Sequence, residues 1–272
     1  MQVKNLLKLL LSLPLAASAL EMQPWFGNVY EFHFLGDYTY SRYNKVDHAT
    51  PPLKHPSNDQ LFLLGLDFCP SSSWDLDLDV EFVHTPRQEW GFRSAAAQIR
   101  RLWLDDVLYD SVSLTTGLLL RGVSGTSLKD VSCPYHAAFD MEMNIAIGKE
   151  WSSSAFWRYR LFGFGALGIG NRGSPWSRAH VAIELNSEDV HRYELFSDGY
   201  FGYGNEETIN IKHFHSYAHI HHKSVDVGLS YGYMMSVWGT LYLSYAHRVY
   251  ARSFPANTNF FSLSYNLPFS LF

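Results

Sequence analysis

Hydrophobic and polar residues alternate singly along most of the chain after residue 28. The clearest stretch is WDLDLDVEFVHT (74–85), where Trp74, Leu76, Leu78, Val80 and Phe82 alternate with Asp75, Asp77, Asp79 and Glu81. Successive side chains of a β-strand point to opposite faces, so this segment has one apolar face and one wholly acidic face. The same period of two marks 28–43, 60–68, 111–122 and 138–148, and more weakly 94–104. It returns in 155–170, 177–186, 209–222, 224–235, 239–250 and 259–272, with 191–204 the weakest stretch. No segment carries a convincing 3.6-residue apolar stripe, a heptad repeat, a linker or a low-complexity tract. The pattern predicts one continuous all-β domain.

Alternation alone leaves open what lies on each face. A soluble sandwich would put core against the leucines and water against the acids. A membrane barrel would put lipid against the leucines and a wet lumen against the acids. Three features bear on the choice. The N-terminus, MQVKNLLKLLLSLPLAASAL, has a basic start (Lys4, Lys8), an apolar run and a small-residue site at Ala17-Ser18-Ala19. That is the layout of a secretory signal peptide over 1–19, and it is too short to span a bilayer. Trp74, Trp90, Trp103, Trp151, Trp157, Trp176 and Trp238 fall at or near strand ends, where interfacial girdles sit. Finally, the chain stops on Phe272 after Tyr265, Leu267 and Phe269 in alternation.

Composition sharpens this. Aromatics reach 16% while only 17% of residues are charged, and the mean hydropathy is −0.13. Spaced apolar residues of this kind suit an all-β chain better than a helical membrane protein. Loss of 1–19 removes two lysines and no acid, taking the formal net charge from −5 to −7, which argues against a nucleic-acid partner.

A signal peptide, alternating strands, aromatic strand ends and a terminal Phe together resemble Gram-negative outer-membrane β-barrel proteins. The stretches QPWFGNVYEFHF, RGSPW and AHRVYARSFP resemble uncharacterised barrels of chlamydia-like bacteria. The resemblance implies an outer-membrane location, contact with outer-membrane lipid, and recognition by barrel-assembly machinery through the last strand ending at Phe272. In that strand the apolar phase runs through odd positions, so Phe272 is out of phase, and a bulge at Pro268 is expected to reset it. Thirteen segments alternate, and single-chain bacterial barrels have even strand numbers. The expectation is a transmembrane antiparallel barrel of about 12 strands (range 10–14) over 20–272, with 191–204 as the segment that is not a strand.

In a barrel the acids of 74–85 face the lumen, because a one-residue slip would place four carboxylates in hydrocarbon. The expected lumen wall comprises Asp75, Asp77, Asp79, Glu81, Asp140, Glu142, Arg158, Arg160, Arg178, His180 and Glu184, with Arg100 and Arg101 sharing it.

Candidate chemistry is sparse. His213, His215, His219 and His221 would share one face of a strand at 209–222, and imidazoles two apart on a strand can ligate one Zn, Cu or Ni ion; no Cys or acid within the stripe completes such a site, and a wet lumen face that tolerates histidine, or a mild pH sensor, is the plainer reading. His55-Pro56-Ser57-Asn58 resembles the His-x-Ser-Asn stretch of outer-membrane lipid hydrolases, yet its surroundings read as a loop. His247 faintly resembles the end of lipid A deacylases, but Arg248, Val249 and Tyr250 follow it where a serine is needed. Cys69 and Cys133 fall at opposite ends of the expected topology, against an internal bridge. No catalytic residue and no cofactor is assigned. The readings carried forward are a structural barrel or narrow channel for small polar solutes, a lipid-modifying hydrolase, and a surface interaction protein acting through loops 44–59, 85–92 and 122–135.

Overall fold

Period-two alternation is realised as long antiparallel strands. The computed structural model describes residues 22–154 and 156–270; the proposed signal peptide and Phe272 lie outside the described residues. The strands are β1 (Glu31–Tyr43), β2 (Lys45–Val46), β3 (Ala49–Thr50), β4 (Ser57–Ser71), β5 (Trp74–Thr85), β6 (Gln88–Leu104), β7 (Ser113–Val123), β8 (Phe139–Ser154), β9 (Trp157–Gly170), β10 (Trp176–Ser187), β11 (His191–Gly202), β12 (Ile209–Asn210), β13 (Lys223–Met234), β14 (Thr240–Arg252), β15 (Pro255–Ala256) and β16 (Asn259–Ser270). Twelve of them close into one barrel in the order β1-β16-β14-β13-β11-β10-β9-β8-β7-β6-β5-β4, with β4 returning to β1. The seam between first and last strands is unbroken from Glu31↔Ser270 to Arg42↔Asn259.

The number of barrel strands is twelve, but one assignment is exchanged. Residues 191–202 form a full barrel strand, and 209–222 do not. β11 hides its period because its inner face mixes Glu194, Phe196, Asp198 and Tyr200, so both faces carry aromatic residues. Residues 209–222 form the two-residue β12, a 3-10 turn at Ile211–His213 and irregular chain. Their buried apolar residues, Ile209, Phe214, Tyr217 and Ile220, are not spaced by two, and they pack into a cluster instead of along a sheet.

Burial is inverted relative to a soluble protein. Asp75, Asp77, Asp79, Glu81, Asp140 and Glu142 are buried, whereas Leu78, Met143, Leu167 and Leu195 are more than half exposed on the outer wall. An apolar outer belt around a polar interior is the signature of a transmembrane barrel. Arg101 is a correction: it points outward, 4.1 Å from the Trp103 ring and 5.4 Å from that of Trp74, while only Arg100 is inside.

The two ends differ. One carries both described termini and the short turns at 72–73 and 188–190; we call it the turn end. The other carries 44–56, 124–138, 203–222 and 253–258; we call it the loop end. The connection expected at 85–92 is a tight turn, since β6 begins at Gln88. Trp74, Trp103, Trp151, Trp157 and Trp238 gather at the turn end. Trp176 departs from the expected girdle and is buried under the loops, stacked on His136 with ring centroids 4.4 Å apart. No bulge occurs at Pro268, which stays in register with His33. It lies past Asn266, where the β14 pairing stops, a position a proline tolerates.

Candidate functional site

The lumen is built from the inward face of each strand. On β5 the acid ladder divides. Asp75 is fully buried and takes Arg100 Nε at 2.8 Å, with a second, shorter contact from Arg100 Nη2. Asp77 accepts from Gln98 Nε2 at 3.2 Å and lies 3.5 Å from Arg100 Nε. Glu81 accepts from Ser94 Oγ at 2.6 Å and from the Tyr135 hydroxyl, with Arg93 Nε at 3.4 Å. Asp79, between them, has a buried oxygen with no hydrogen-bond partner.

The opposite strands repeat the motif of paired charge. Arg178 grips Glu142 through two hydrogen bonds of 2.8 and 2.6 Å. Arg160 donates to Glu150 at 2.7 Å and lies 3.5 Å from Glu184. His180 Nδ1 sits 2.8 Å from Asp198. Arg248 holds Asp226 at 2.7 and 2.8 Å. Asp140 keeps one oxygen unpartnered. Arg158 stands apart: it pairs with Asp189 at the turn end and does not line the lumen cavity.

Against these bulky ion pairs stands a wall of small polar residues. Ser244 Oγ donates to Ser230 Oγ at 2.8 Å, and Ser264 Oγ donates to Asp37 at 2.6 Å. Short side chains there leave room, and a cavity of about 710 Å³ occupies the barrel.

Packed chain narrows each end of that cavity. At the turn end the chain before β1 enters the barrel. Trp25 is buried edge-on against Phe162 (centroids 5.8 Å), under the Arg160 guanidinium (4.8 Å), and its indole donates to Asp106 at 2.9 Å. Arg100 donates to the Gln23 carbonyl at 2.8 Å and lies over the Phe26 ring. Met22 packs deeper, against Ala146, Phe164 and Ala166. Gly148 makes the space: a Cβ there would stand 2.7 Å from Trp25 and 2.8 Å from Pro24.

At the loop end the loops form a packed cap. β2 pairs with β15 and β3 with β12, over a core of Tyr43, Val46, Val131, Ile209, Phe214, Tyr217, Ile220 and Phe254. Beneath it, His136 and His222 meet with their Nε2 atoms 3.2 Å apart. Burial pushes His136 down to about 3, and it also lowers His222 well below the usual histidine value, reinforced by His136 and Arg248. Burial pushes the Cys133 thiol up to about 12, so it stays an unreactive thiol. Cys133 is free, as is Cys69 at the turn end.

The fold removes the metal reading of the histidine stripe. His213 lies in the 3-10 turn, His215 and His219 are exposed, and His221 is half-buried in irregular chain, so the four share no face. Among the described residues the one convergent trio of potential ligands is Asp67, Asp75 and Asp77, and Arg100 already engages the last two. Ser57 is not in a loop: it begins β4, is buried, and donates to Asp59 at 2.7 Å, while His55 is exposed. His247 meets Asn259 at 3.0 Å, with no serine beside it. The features that sequence reasoning missed are the 22–27 plug and the arginines Arg93, Arg121 and Arg248. Arg121 is masked because β7 also turns Leu119 inward.

Closed topology, inverted burial and a charged interior decide the architecture. The fold is that of an outer-membrane β-barrel. A solved outer-membrane channel from Pseudomonas putida F1 is similar over 93% of this chain and 100% of its own, at 10% identity and a TM-score of 0.66. The NanC porin is similar over 87% of this chain and 98% of its own, at 9% identity and a TM-score of 0.53. No protein-family model and no curated protein matches the sequence. At these identities the likeness speaks for the fold.

Proposed function

We propose that this protein is an outer-membrane barrel that passes small polar solutes through a narrow lumen, and that the structure is its closed state. The observation that carries the reading is the polar chamber of about 710 Å³ lying between the packed 22–27 segment and the loop cap. A purely structural barrel has no need of an interior void lined by charge. The turn end, with short turns and both described termini, faces the periplasm, and the loop cap faces outward. The names of the two solved relatives, a channel and a porin, agree with this.

Removal of 1–19 as a signal peptide, delivery to assembly machinery through the last strand, and descent from a chlamydia-like barrel family belong to the same proposal. They rest on the sequence features described above. Heat-modifiable gel migration of the outer-membrane fraction tests the location. Planar-bilayer recording tests the function: discrete conductance, rising when the plug is removed, is expected. Silence of both the intact and plug-deleted barrels would overturn it.

A further inference from the structure

The outer wall is not uniform around the loop end. On β8 and β9 it stays apolar to the rim, where Phe139 and Ile169 stand half exposed. On β4, β1, β16 and β14 one register row near the rim is polar instead: Asn58↔Arg42↔Asn259↔His247. These four side chains alternate with inward Asp59, Tyr43, Phe260 and Ala246, so they face outward. Arg42 is exposed, and it has no hydrogen bond or ion pair with any described residue.

Its neighbours are aimed as donors. The Tyr40 hydroxyl donates to Asn58 Oδ1 at 2.9 Å. Asn259 Oδ1 takes the Tyr245 hydroxyl at 3.4 Å and His247 Nδ1 at 3.0 Å. Both amide oxygens are thus engaged, and both NH2 groups have no acceptor among the described residues. Arg42 lies between them, one strand spacing of ~4.8 Å from each. No carboxylate faces outward on these four strands. Three adjoining donor groups with no acid beside them suit an anion rich in oxygen acceptors, and a guanidinium fork matches phosphate.

Height decides which anion is there. Arg42 is ten residues beyond Phe32, whose ring stacks on Phe68 and Phe269 at the turn end. Ten steps of ~3.3 Å on a strand tilted by ~35–45° rise about 25 Å along the membrane normal, the height of the apolar belt itself. The polar row therefore stands at the headgroup level of the leaflet on the loop side. Below it Phe62, Leu243 and Leu263 are exposed on the same wall, a surface for acyl chains.

We infer that the Asn58–Arg42–Asn259 row binds the phosphorylated sugar headgroup of an outer-leaflet glycolipid, with Arg42 on a phosphate and the two amides on sugar oxygens. This rests on the outward orientation of the loop cap proposed above, and not on conductance.

The test titrates the barrel, refolded in detergent, with bisphosphorylated lipid A and counts bound lipid by native mass spectrometry. One lipid A per barrel is expected. Arg42→Gln should weaken it at least roughly tenfold, as should removal of both phosphates from the lipid. Lys129→Gln, an exposed loop-end charge outside the row, should leave binding unchanged. Heat-modifiable migration checks that each variant is folded. Equal retention by the parent and Arg42→Gln overturns the inference, as does displacement by an equimolar amount of phosphatidylglycerol, which would make the site one for any anionic lipid. Labelling of Lys54→Cys on intact cells with a membrane-impermeant maleimide separates the two claims. Labelling without lipid A binding leaves the orientation and removes the site. Binding in detergent without labelling removes the orientation, and with it the outer-leaflet partner.

Discussion

The Nε2 atoms of His136 and His222 lie 3.2 Å apart beneath the loop cap, and proton counting sets their tautomers. The Tyr200 hydroxyl donates its one proton to the Pro134 carbonyl at 2.8 Å, so at 3.0 Å it accepts from His136 Nδ1. His136 then offers a bare Nε2, to which His222 donates, leaving the buried Nδ1 of His222 without a partner. Both rings are neutral in this arrangement. The groups facing them are Tyr200, Tyr217, Trp176, Phe254, Arg248 and His221, and no carboxylate is within ion-pair distance among the described residues.

Acid is therefore expected to loosen the cap. His136 falls from 6.5 to about 3 on burial, and His222 shifts in the same direction. Between those limits the opened loops bind more protons than the closed cap, so closure is fully stable above about pH 6.5 and weakens steadily as pH falls below it. Hydrogen exchange of residues 203–222 should quicken on acidification. His222→Phe, which keeps a ring against Phe254, should flatten the response; an unchanged pH profile in that variant would falsify the assignment.

Opening the turn end should need only one side chain. Trp25→Ala removes the indole that fills the space against Phe162 and leaves Asp106 short of a donor. Loss of a buried Trp costs ~3–5 kcal/mol in a packed core, here drawn from the docking of one segment. Gly148→Ala reaches the same end from the barrel side, by crowding Trp25 and Pro24. Both variants should conduct more than the parent and keep heat-modifiable migration. Conductance equal to the parent in both would mean that the segment is not the barrier.

The outer belt gives a test of the phase. Leu78 is 53% exposed on the outer wall, with Asp77 and Asp79 inside. Leu78→Arg should cost ~2–4 kcal/mol at the bilayer midplane, read as a lowered midpoint for urea unfolding in vesicles. Leu78→Phe should cost little.

Arg100 should be the most sensitive charge. It is buried with Asp75 and Asp77 on its guanidinium, and removing one partner of a buried pair typically costs ~3–5 kcal/mol. Arg100→Met should lower unfolding stability by that order, and Asp75→Asn in the same chain should recover part of it. A double variant no more stable than the single one would show that the pair is not coupled.

Much of this architecture was legible in single letters. Where a strand faces two uniform solvents, as in Leu76 to Glu81, alternation reports both face and register. It failed at β11, where Phe196 and Tyr200 point inward beside Glu194 and Asp198, because a narrow lumen needs rings as well as charges to fill it. It failed in the opposite way at 209–222, where histidines happened to alternate in a loop. Pairing was hidden throughout. Arg178 meets Glu142 across 36 residues and Arg248 meets Asp226 across 22, and such partners follow from closure of the barrel rather than from local spacing. The Met22–Gly27 plug carries no periodic signal at all.

The position of that plug has a kinetic side. It is joined to β1 at Glu31, beside the seam where the first strand pairs with the last. Nine residues of extended chain reach no more than ~30 Å, so once displaced the segment stays within that distance of the mouth it came from. A short tether of this kind holds its end at an effective concentration of about millimolar. Reclosure is then unimolecular. Each barrel reseals at a rate set by its own leash, independent of how many barrels share the membrane.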